Sequence, residues 1–302
     1  MSVVYLGTSA FAAAVLERLA AEDAHRPALV VTRPDRPSGR GRRLTSPPVA
    51  DAARRLGLPL SQPARVNDPE AAAAIIETAG EAPGPPAVVV CAFGALIGEP
   101  LLAAQPILNV HPSLLPRWRG AAPVERAIMA GDLRTGVSIM RLTAGLDEGP
   151  VCLAGEEPIL PEDTYGSLAG RLQELSGELL VRALDEQPPF REQEEEGVTY
   201  AEKIGPEDRL LDPERHAAEL ERTVRALHPH IGARLDVQGR GTLGVLRARA
   251  AGEAGLVPGT LDEQDGRLLL GCGAGTLELL EVQPPGRKAM DAAAYLRGHP
   301  LT

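Results

Sequence analysis

At 302 residues, with 44% hydrophobic and 24% charged side chains, the chain has a globular composition and room for two domains of ordinary size. No apolar run approaches the roughly 18 residues that cross a bilayer. Met1 leads straight into Val3-Val4-Tyr5-Leu6 without a basic segment or cleavage site, so a cytoplasmic protein with no membrane partner is expected. A net charge of −10 argues against nucleic-acid binding over the whole surface, and three scattered cysteines outline neither a disulfide framework nor a zinc cluster.

The first half alternates short apolar runs with longer amphipathic stretches, the pattern of a parallel sheet wrapped by helices. Val3–Leu6 reads as a strand, Gly7 as a turn and Phe11–Ala20 as a helix. Leu29–Thr32 is a second strand, and Val49–Leu56 and Glu70–Thr78 are helical. Ala87–Phe93 is apolar throughout, as in a strand buried on both faces. Ile107–His111, Val137–Leu142 and Val151–Ile159 are further strands. Over Thr164–Leu184, Leu168, Leu172, Leu175 and Leu179 fall on one face of a 3.6-residue period. Pro188-Pro189 and the acidic run Glu192–Glu196 resemble an exposed linker. Beyond about residue 205 the texture changes. A helix (Pro213–Leu227) precedes β-like runs broken by glycine: Gly232–Val237, Thr242–Arg249, Arg267–Gly271 and Thr276–Val282, which suggest a small barrel.

Three segments could carry chemistry. In Asn109-Val110-His111-Pro112 the amide and imidazole are two apart at a strand end, so they share a face. The prolines and glycine that follow force a loop, and loops at the carboxyl ends of strands are where open α/β sheets place active sites. An amide can donate to a developing oxyanion while an imidazole moves protons. In Gly145-Leu146-Asp147-Glu148-Gly149 an acid lies between glycines; by spacing alone Asp147 reads as a turn residue, and Glu148 could play the same part. The third segment, Arg33–Arg43, sets five arginines against Asp35. Its prolines and glycines argue against regular structure, giving a mobile loop whose guanidinium forks match phosphate oxygens.

Other signatures are missing. Gly7-Thr8-Ser9-Ala10 lacks the glycine fingerprint of dinucleotide binding, and neither a Walker motif nor His-Glu-x-x-His is present, so no metal is expected. The pair His228-Pro229-His230 has no carboxylate or cysteine beside it in sequence and reads as structural.

Taken in order, these segments resemble the folate-dependent formyltransferases, and most fully the methionyl-tRNA formyltransferases among them. The matching pieces are Leu6-Gly7-Thr8 with Phe11-Ala12, the loop Pro34–Leu44, Val88–Leu96, Asn109–Pro123, Gly145–Pro150, Thr199–Ile204 and Gln283–Met290. The block SLLPRWRGAAP and the arginine loop are the most specific. The resemblance implies an α/β fold, with a Rossmann-like catalytic domain over 1–188 binding 10-formyltetrahydrofolate. A linker over 189–204 and an OB-like β-barrel domain over 205–302 that helps hold tRNA would follow. It separates Asp147 from Glu148 and assigns Asn109, His111 and Asp147 the catalytic places. It matches Ser113, Leu114, Leu115 and Pro116 to the folate-contacting loop, and Arg36, Arg40, Arg42 and Arg43 to a loop entering the acceptor-stem region of tRNA. The implied acceptor is methionyl initiator tRNA, and the enzyme would be monomeric. A sugar-nucleotide N-formyltransferase shares the Asn-x-His…Asp core but generally lacks this arginine-rich loop. The chain departs from the family with Thr8-Ser9-Ala10-Phe11 where Thr-Pro-Asp-Phe is usual, with Ile97-Gly98-Glu99-Pro100, and with no tryptophan over 205–212.

Overall fold

The structure, a computed structural model, describes residues 2–38, 43–80, 87–237, 241–252 and 255–301. It divides into two compact units. The first comprises Met1–Ala121, Thr135–Glu157 and Ala169–Ala201; the second comprises Ala122–Arg134, Pro158–Leu168 and Glu202–Thr302. Two short segments ahead of residue 188 thus group with the second unit, and the stretch read as a linker groups up to Ala201 with the first.

The first unit opens with β1 (Val4–Gly7), α1 (Ala10–Ala20) and β2 (Leu29–Val31), followed by the short pair β3 (Arg36–Ser38) and β4 (Arg43–Thr45). Then come α2 (Pro48–Leu56), β5 (Leu60–Ser61), α3 (Pro69–Ala79), β6 (Val88–Cys91), α4 (Leu101–Ala104), β7 (Ile107–His111) and β8 (Arg119–Gly120). After α5 (Pro123–Ala130), which belongs to the second unit, follow β9 (Arg134–Arg141), β10 (Val151–Pro158), α6 (Tyr165–Glu186) and β11 (Tyr200–Ala201).

Seven strands form one sheet in the order β10-β9-β7-β6-β1-β2-β5. The strands from β7 to β5 pair in parallel. β1, β6 and β7 are buried along their whole length, which explains the unbroken apolar runs of β1 and β6, while β7 carries the buried polar pair Asn109 and His111. Val4, Leu6, Val88 and Val90 pack with Ile75 of α3 on one face, while Tyr5, turned the other way, donates its hydroxyl to the Ala12 carbonyl of α1 at 2.7 Å. Ser9 caps α1, accepting from the Ala12 N–H, so the altered Thr-Ser-Ala-Phe segment keeps a helix start.

The sheet is mixed rather than wholly parallel: β9 runs antiparallel to β7, Asn109 facing Met140 and His111 facing Ser138. An antiparallel return needs no crossover helix on the sheet face, and the apolar runs of the two pairing modes look alike in sequence. A second correction concerns the arginine segment. Its ends form an antiparallel hairpin, Arg36 opposite Thr45 and Ser38 opposite Arg43. A two-stranded ribbon has a free edge on each strand, where the missing N–H of Pro37 costs no ladder bond.

In the second unit the helix expected from Pro213 begins at Ala217, as α7 (Ala217–Leu227), because Asp212 first closes a turn by accepting from the Arg215 and Glu214 N–H groups. It is followed by β12 (Ala233–Val237), β13 (Gly241–Ala251), β14 (Leu261–Gln264), β15 (Arg267–Gly271), β16 (Thr276–Gln283), β17 (Met290–Asp291) and α8 (Ala292–Gly298). The strands form an antiparallel sheet, β12-β13-β16-β15-β14, with β17 added beside β16. Register slips around Arg247 bend β13. Leu220, Val224 and Leu227 of α7 pack with Leu235, Val245, Leu268, Leu270, Leu277 and Leu279. Each such buried aliphatic side chain contributes roughly 1.5–3 kcal/mol.

Candidate active site

β7 runs into the site. Asn109 and His111, on the same face of that strand, are both buried at its carboxyl end. Asp147 reaches them from the Gly145–Gly149 turn. Its Oδ1 accepts from Asn109 Nδ2 at 3.3 Å, its Oδ2 accepts from the Gly120 N–H at 2.8 Å, and His111 Nδ1 lies 3.6 Å from Oδ2. Glu148 points elsewhere, its side chain folding against Gly145. Of the two acids that spacing left open, the structure brings Asp147 to the pair.

The histidine is oriented from its far side. Nε2 lies 2.8 Å from the Trp118 carbonyl, which can only accept, so Nε2 carries a proton and Nδ1 faces the carboxylate. Trp118 adopts φ = +64°, and its N–H donates to Thr199 Oγ1 at 2.8 Å. That left-handed backbone turns the carbonyl toward the imidazole. Asp147 is also left-handed, at φ = +50°, a region aspartate tolerates better than most L-residues but at a cost of about 1–2 kcal/mol. Gly120 sits at φ = +120°, and a Cβ there would come within 2.7 Å of the Ala201 carbonyl across the β8–β11 pairing. Only glycine can therefore hold the N–H that Asp147 receives.

The Asn109 amide has two hydrogens on Nδ2. One serves Asp147, and the second has no partner among the described residues. An N–H fixed in this way suits an oxyanion.

The loop after β7 is held from below. Ser138 Oγ donates to the Ser113 carbonyl at 2.8 Å and accepts from the Leu115 N–H at 3.1 Å, and Ser113 Oγ donates to the Arg117 carbonyl at 2.6 Å. Ser113 has no exposed surface, so its side chain shapes the loop and does not face a ligand in this conformation. Leu114, Leu115 and Pro116 are half-buried. Leu114 lies over Gly136, where a Cβ would meet its Cδ2 at 2.6 Å.

Of the four arginines assigned to RNA, Arg36 is exposed on β3, Arg43 stands on β4, and Arg40 and Arg42 lie outside the described residues. A network spans the base of this hairpin. Gln62 Nε2 donates to the Arg33 carbonyl (3.0 Å) and Asp35 Oδ1 (2.8 Å), Ser46 Oγ donates to Asp35 Oδ2 (3.1 Å), and Arg54 donates to both Ser46 and Gln62. The Gln62 and Ser46 hydrogen bonds and the Arg54 charge hold the Asp35 carboxyl below its usual range. This frame escaped the sequence reading because its members are far apart in the chain.

Other candidates are structural. Cys91, buried beside Tyr5, is pushed up to about 12 by desolvation and is no nucleophile. His230 pairs with Glu125 at 2.9 Å and stacks on Tyr165. Among the described residues no group of His, Cys, Asp or Glu could hold a metal, and no helix is long and apolar enough to cross a membrane.

Comparison with known proteins identifies the family. Residues 1–184 match the family model described as formyl transferase, and residues 203–300 that of the formyl transferase C-terminal domain. A methionyl-tRNA formyltransferase of Methylobacterium sp. (strain 4-46) is 44% identical over 310 residues, covering 100% of this chain and 97% of the relative. Among solved structures, a sugar 3N-formyl transferase in the presence of dTDP and 5-N-formyl-THF superposes with a TM-score of 0.67 at 14% identity, over 95% of this chain and 99% of the other. HypX from Aquifex aeolicus in complex with tetrahydrofolic acid gives 0.62 at 17% identity, over 98% of this chain and 47% of that longer protein. At such identities the two structures show the fold alone. The chain belongs to the formyl transferase family, in its methionyl-tRNA formyltransferase branch.

Proposed function

We propose that the chain moves the formyl group of 10-formyltetrahydrofolate onto the α-amine of methionyl initiator tRNA, giving the N-formylmethionyl-tRNA used to begin translation. The observation that carries the mechanism is the convergence of Asn109, His111 and the Gly120 N–H on Asp147 at the end of β7.

The amine nitrogen attacks the formyl carbon, and the carbonyl π pair moves to oxygen. The second Asn109 N–H donates to that oxyanion; a lost donor of this kind typically costs about 10²–10³ in rate. Asp147 takes a proton from the attacking nitrogen and relays it to Nδ1 of His111, 3.6 Å from its Oδ2, so that His111 can give up a proton without becoming an anion. His111 passes a proton to the departing folate nitrogen as the carbon–nitrogen bond to the folate breaks, leaving tetrahydrofolate and the formylated amine. Every proton is accounted for by these side chains, without a covalent enzyme intermediate or a metal.

Leu114, Leu115 and Pro116 contact the folate, with Ser113 setting the shape of their loop from inside. Residues 1–188 act as the catalytic domain, 189–204 as the connection, and 205–302 as an OB-like domain that helps hold tRNA. Arg36, Arg40, Arg42 and Arg43 approach the RNA backbone. The enzyme works as a monomer in the cytoplasm.

The test is formyl transfer from 10-formyltetrahydrofolate to methionyl initiator tRNA, with a UDP-amino sugar as competing acceptor. Transfer to the tRNA, abolished by His111→Ala, supports the reading. Transfer to the sugar alone would keep the chemistry and overturn the acceptor. Arg40→Ala should weaken turnover of tRNA and leave folate binding unchanged, with a shallower salt dependence by roughly 0.7–0.9 per lost phosphate contact. Equal loss of both would remove the arginine hairpin from RNA recognition.

A further inference from the structure

We propose that Gln193 is the positioning residue for Asp147, holding the carboxylate in the conformation that the reaction uses. The proposal rests on the catalytic reading of Asp147 given above.

Gln193 lies in the acidic run Glu192–Glu196 as its one neutral side chain, and it is half-buried where its neighbours Glu192, Glu194, Glu195 and Glu196 are exposed. The two hydrogens of Nε2 go to the carbonyls of Asp147 and Gly149, both at 2.8 Å. Its Oε1 accepts from Arg119 Nε at 3.1 Å and Nη2 at 2.8 Å. Both donors and the acceptor are therefore committed. The segment is itself anchored, since Arg191 exchanges two backbone hydrogen bonds with Val151 at 2.8 and 2.9 Å.

This amide reaches Asp147 by two routes. Directly, it fixes the backbone of a residue at φ = +50°, a conformation that an L-residue keeps only when its surroundings insist on it. Through Arg119 it fixes the strand whose next residue, Gly120, donates to Asp147 Oδ2. The carboxylate is thereby located from its main chain and from its side chain at once. A segment that composition marks as a connector thus completes the site.

The chemistry separates this role from mere fastening of the segment. A glutamate at 193 would keep, and charge, the acceptor for Arg119, but would set carboxylate oxygen against two carbonyls and lose both donated bonds. If Gln193 serves only to bind Arg119, Gln193→Glu is harmless. If it holds Asp147, Gln193→Glu is as damaging as Gln193→Ala.

The experiment measures kcat and both KM values for formyl transfer to methionyl-tRNA in wild type, Q193A, Q193E and D147N, with melting midpoints alongside. Displacement of a catalytic group by about 1 Å can cost on the order of 10²-fold, so kcat should fall roughly ten- to a hundredfold in both Gln193 variants. Both KM values should be unchanged, because substrate binding is not what the residue serves. Q193E that is folded and fully active overturns the proposal, and so does Q193A with normal kcat. If D147N abolishes turnover in that series, the catalytic reading stands and the positioning role alone falls. If D147N is fully active, both fall together.

Discussion

The two units treat polar groups differently. In the second unit the buried carboxylates are paired off. Buried Glu278 accepts from Arg249 and Arg267, Glu125 meets His230, and Asp208 takes both Arg126 nitrogens. Among the described residues its one non-glycine residue at positive φ is Asp265, in the two-residue Asp265-Gly266 turn joining β14 to β15, where such a backbone is the ordinary hairpin solution. In the first unit four buried polar residues, Asn109, His111, Ser113 and Ser138, cluster at one strand end, and Trp118 and Asp147 hold left-handed backbones there. One Asn109 N–H is left without a partner among the described residues. An unmet N–H beside two left-handed backbones marks a place where a reacting molecule can supply the partner, whereas the paired carboxylates of the second unit mark stability.

If this contrast is right, substitutions at the site should change turnover with little change in stability, and substitutions at the pairs of the second unit should do the reverse. The largest expected effect is Asn109→Ala, which should lower kcat about 10²–10³-fold with folate affinity and melting midpoint nearly unchanged. Normal turnover by this variant would remove the oxyanion role.

Gly120→Ala is expected to cross the divide. Its φ of +120° and the nearby Ala201 carbonyl leave no room for a methyl, so stability should drop by about 1–3 kcal/mol in a denaturant titration. Because the same residue supplies a hydrogen bond to Asp147, kcat should fall with it. A loss of stability alone would separate that bond from catalysis.

Glu278 gives the pH test. The arginine hydrogen bonds, chiefly from Arg267 and then Arg249, pull its carboxyl down to about 2, below the ordinary value of 4.5 for an unfolded chain. The folded state therefore favours the ionised form. Its contribution, about 1–3 kcal/mol, is complete above pH 4.5 and is lost as the pH falls from there toward 2. Gln should abolish that slope at position 278 and leave kcat at neutral pH unchanged. An unaltered acid-unfolding curve for Glu278→Gln would mean that the arginines do not stabilise the carboxylate.

Gln62→Ala sharpens the comparison with the smallest effect. Loss of its bonds to Asp35 and the Arg33 carbonyl should loosen the base of the arginine hairpin. A net hydrogen-bond contribution of about 0.5–1.5 kcal/mol corresponds to a roughly two- to tenfold higher KM for methionyl-tRNA. The KM for the folate should not move. A parallel rise in both would show that the frame supports the whole unit rather than the hairpin.

Much of this was legible along the chain. The continuous apolar runs placed β1 and β6 to within a residue or two, because most strands buried on both faces have nowhere to put a polar side chain. β7, buried yet carrying Asn109 and His111, is the exception that marks the site. The two-residue spacing put Asn109 and His111 on one face, since the strand repeat fixes that without reference to anything distant. The leucine period placed α6 in the same way. α8 was signalled but passed over: Asp291 ahead of three alanines is a helix cap, accepting from the Ala294 N–H at 2.6 Å.

What the chain alone could not decide is everything set by a partner far away in sequence. Asp147 and Glu148 are chemically alike neighbours, and the Gly120 N–H and the Gln193 amide, 27 and 46 residues away, accompany the choice between them. The antiparallel turn of β9, the hairpin in the arginine segment and the incorporation of the acidic run into the first unit are decisions of the same kind. Periodicity records which face of an element is buried, whereas hydrogen bonds between loops depend on how those elements are brought together. The sequence therefore determined most of the longer strands and helices and two members of the candidate site, and the tertiary structure decided which carboxylate meets them and what holds it there.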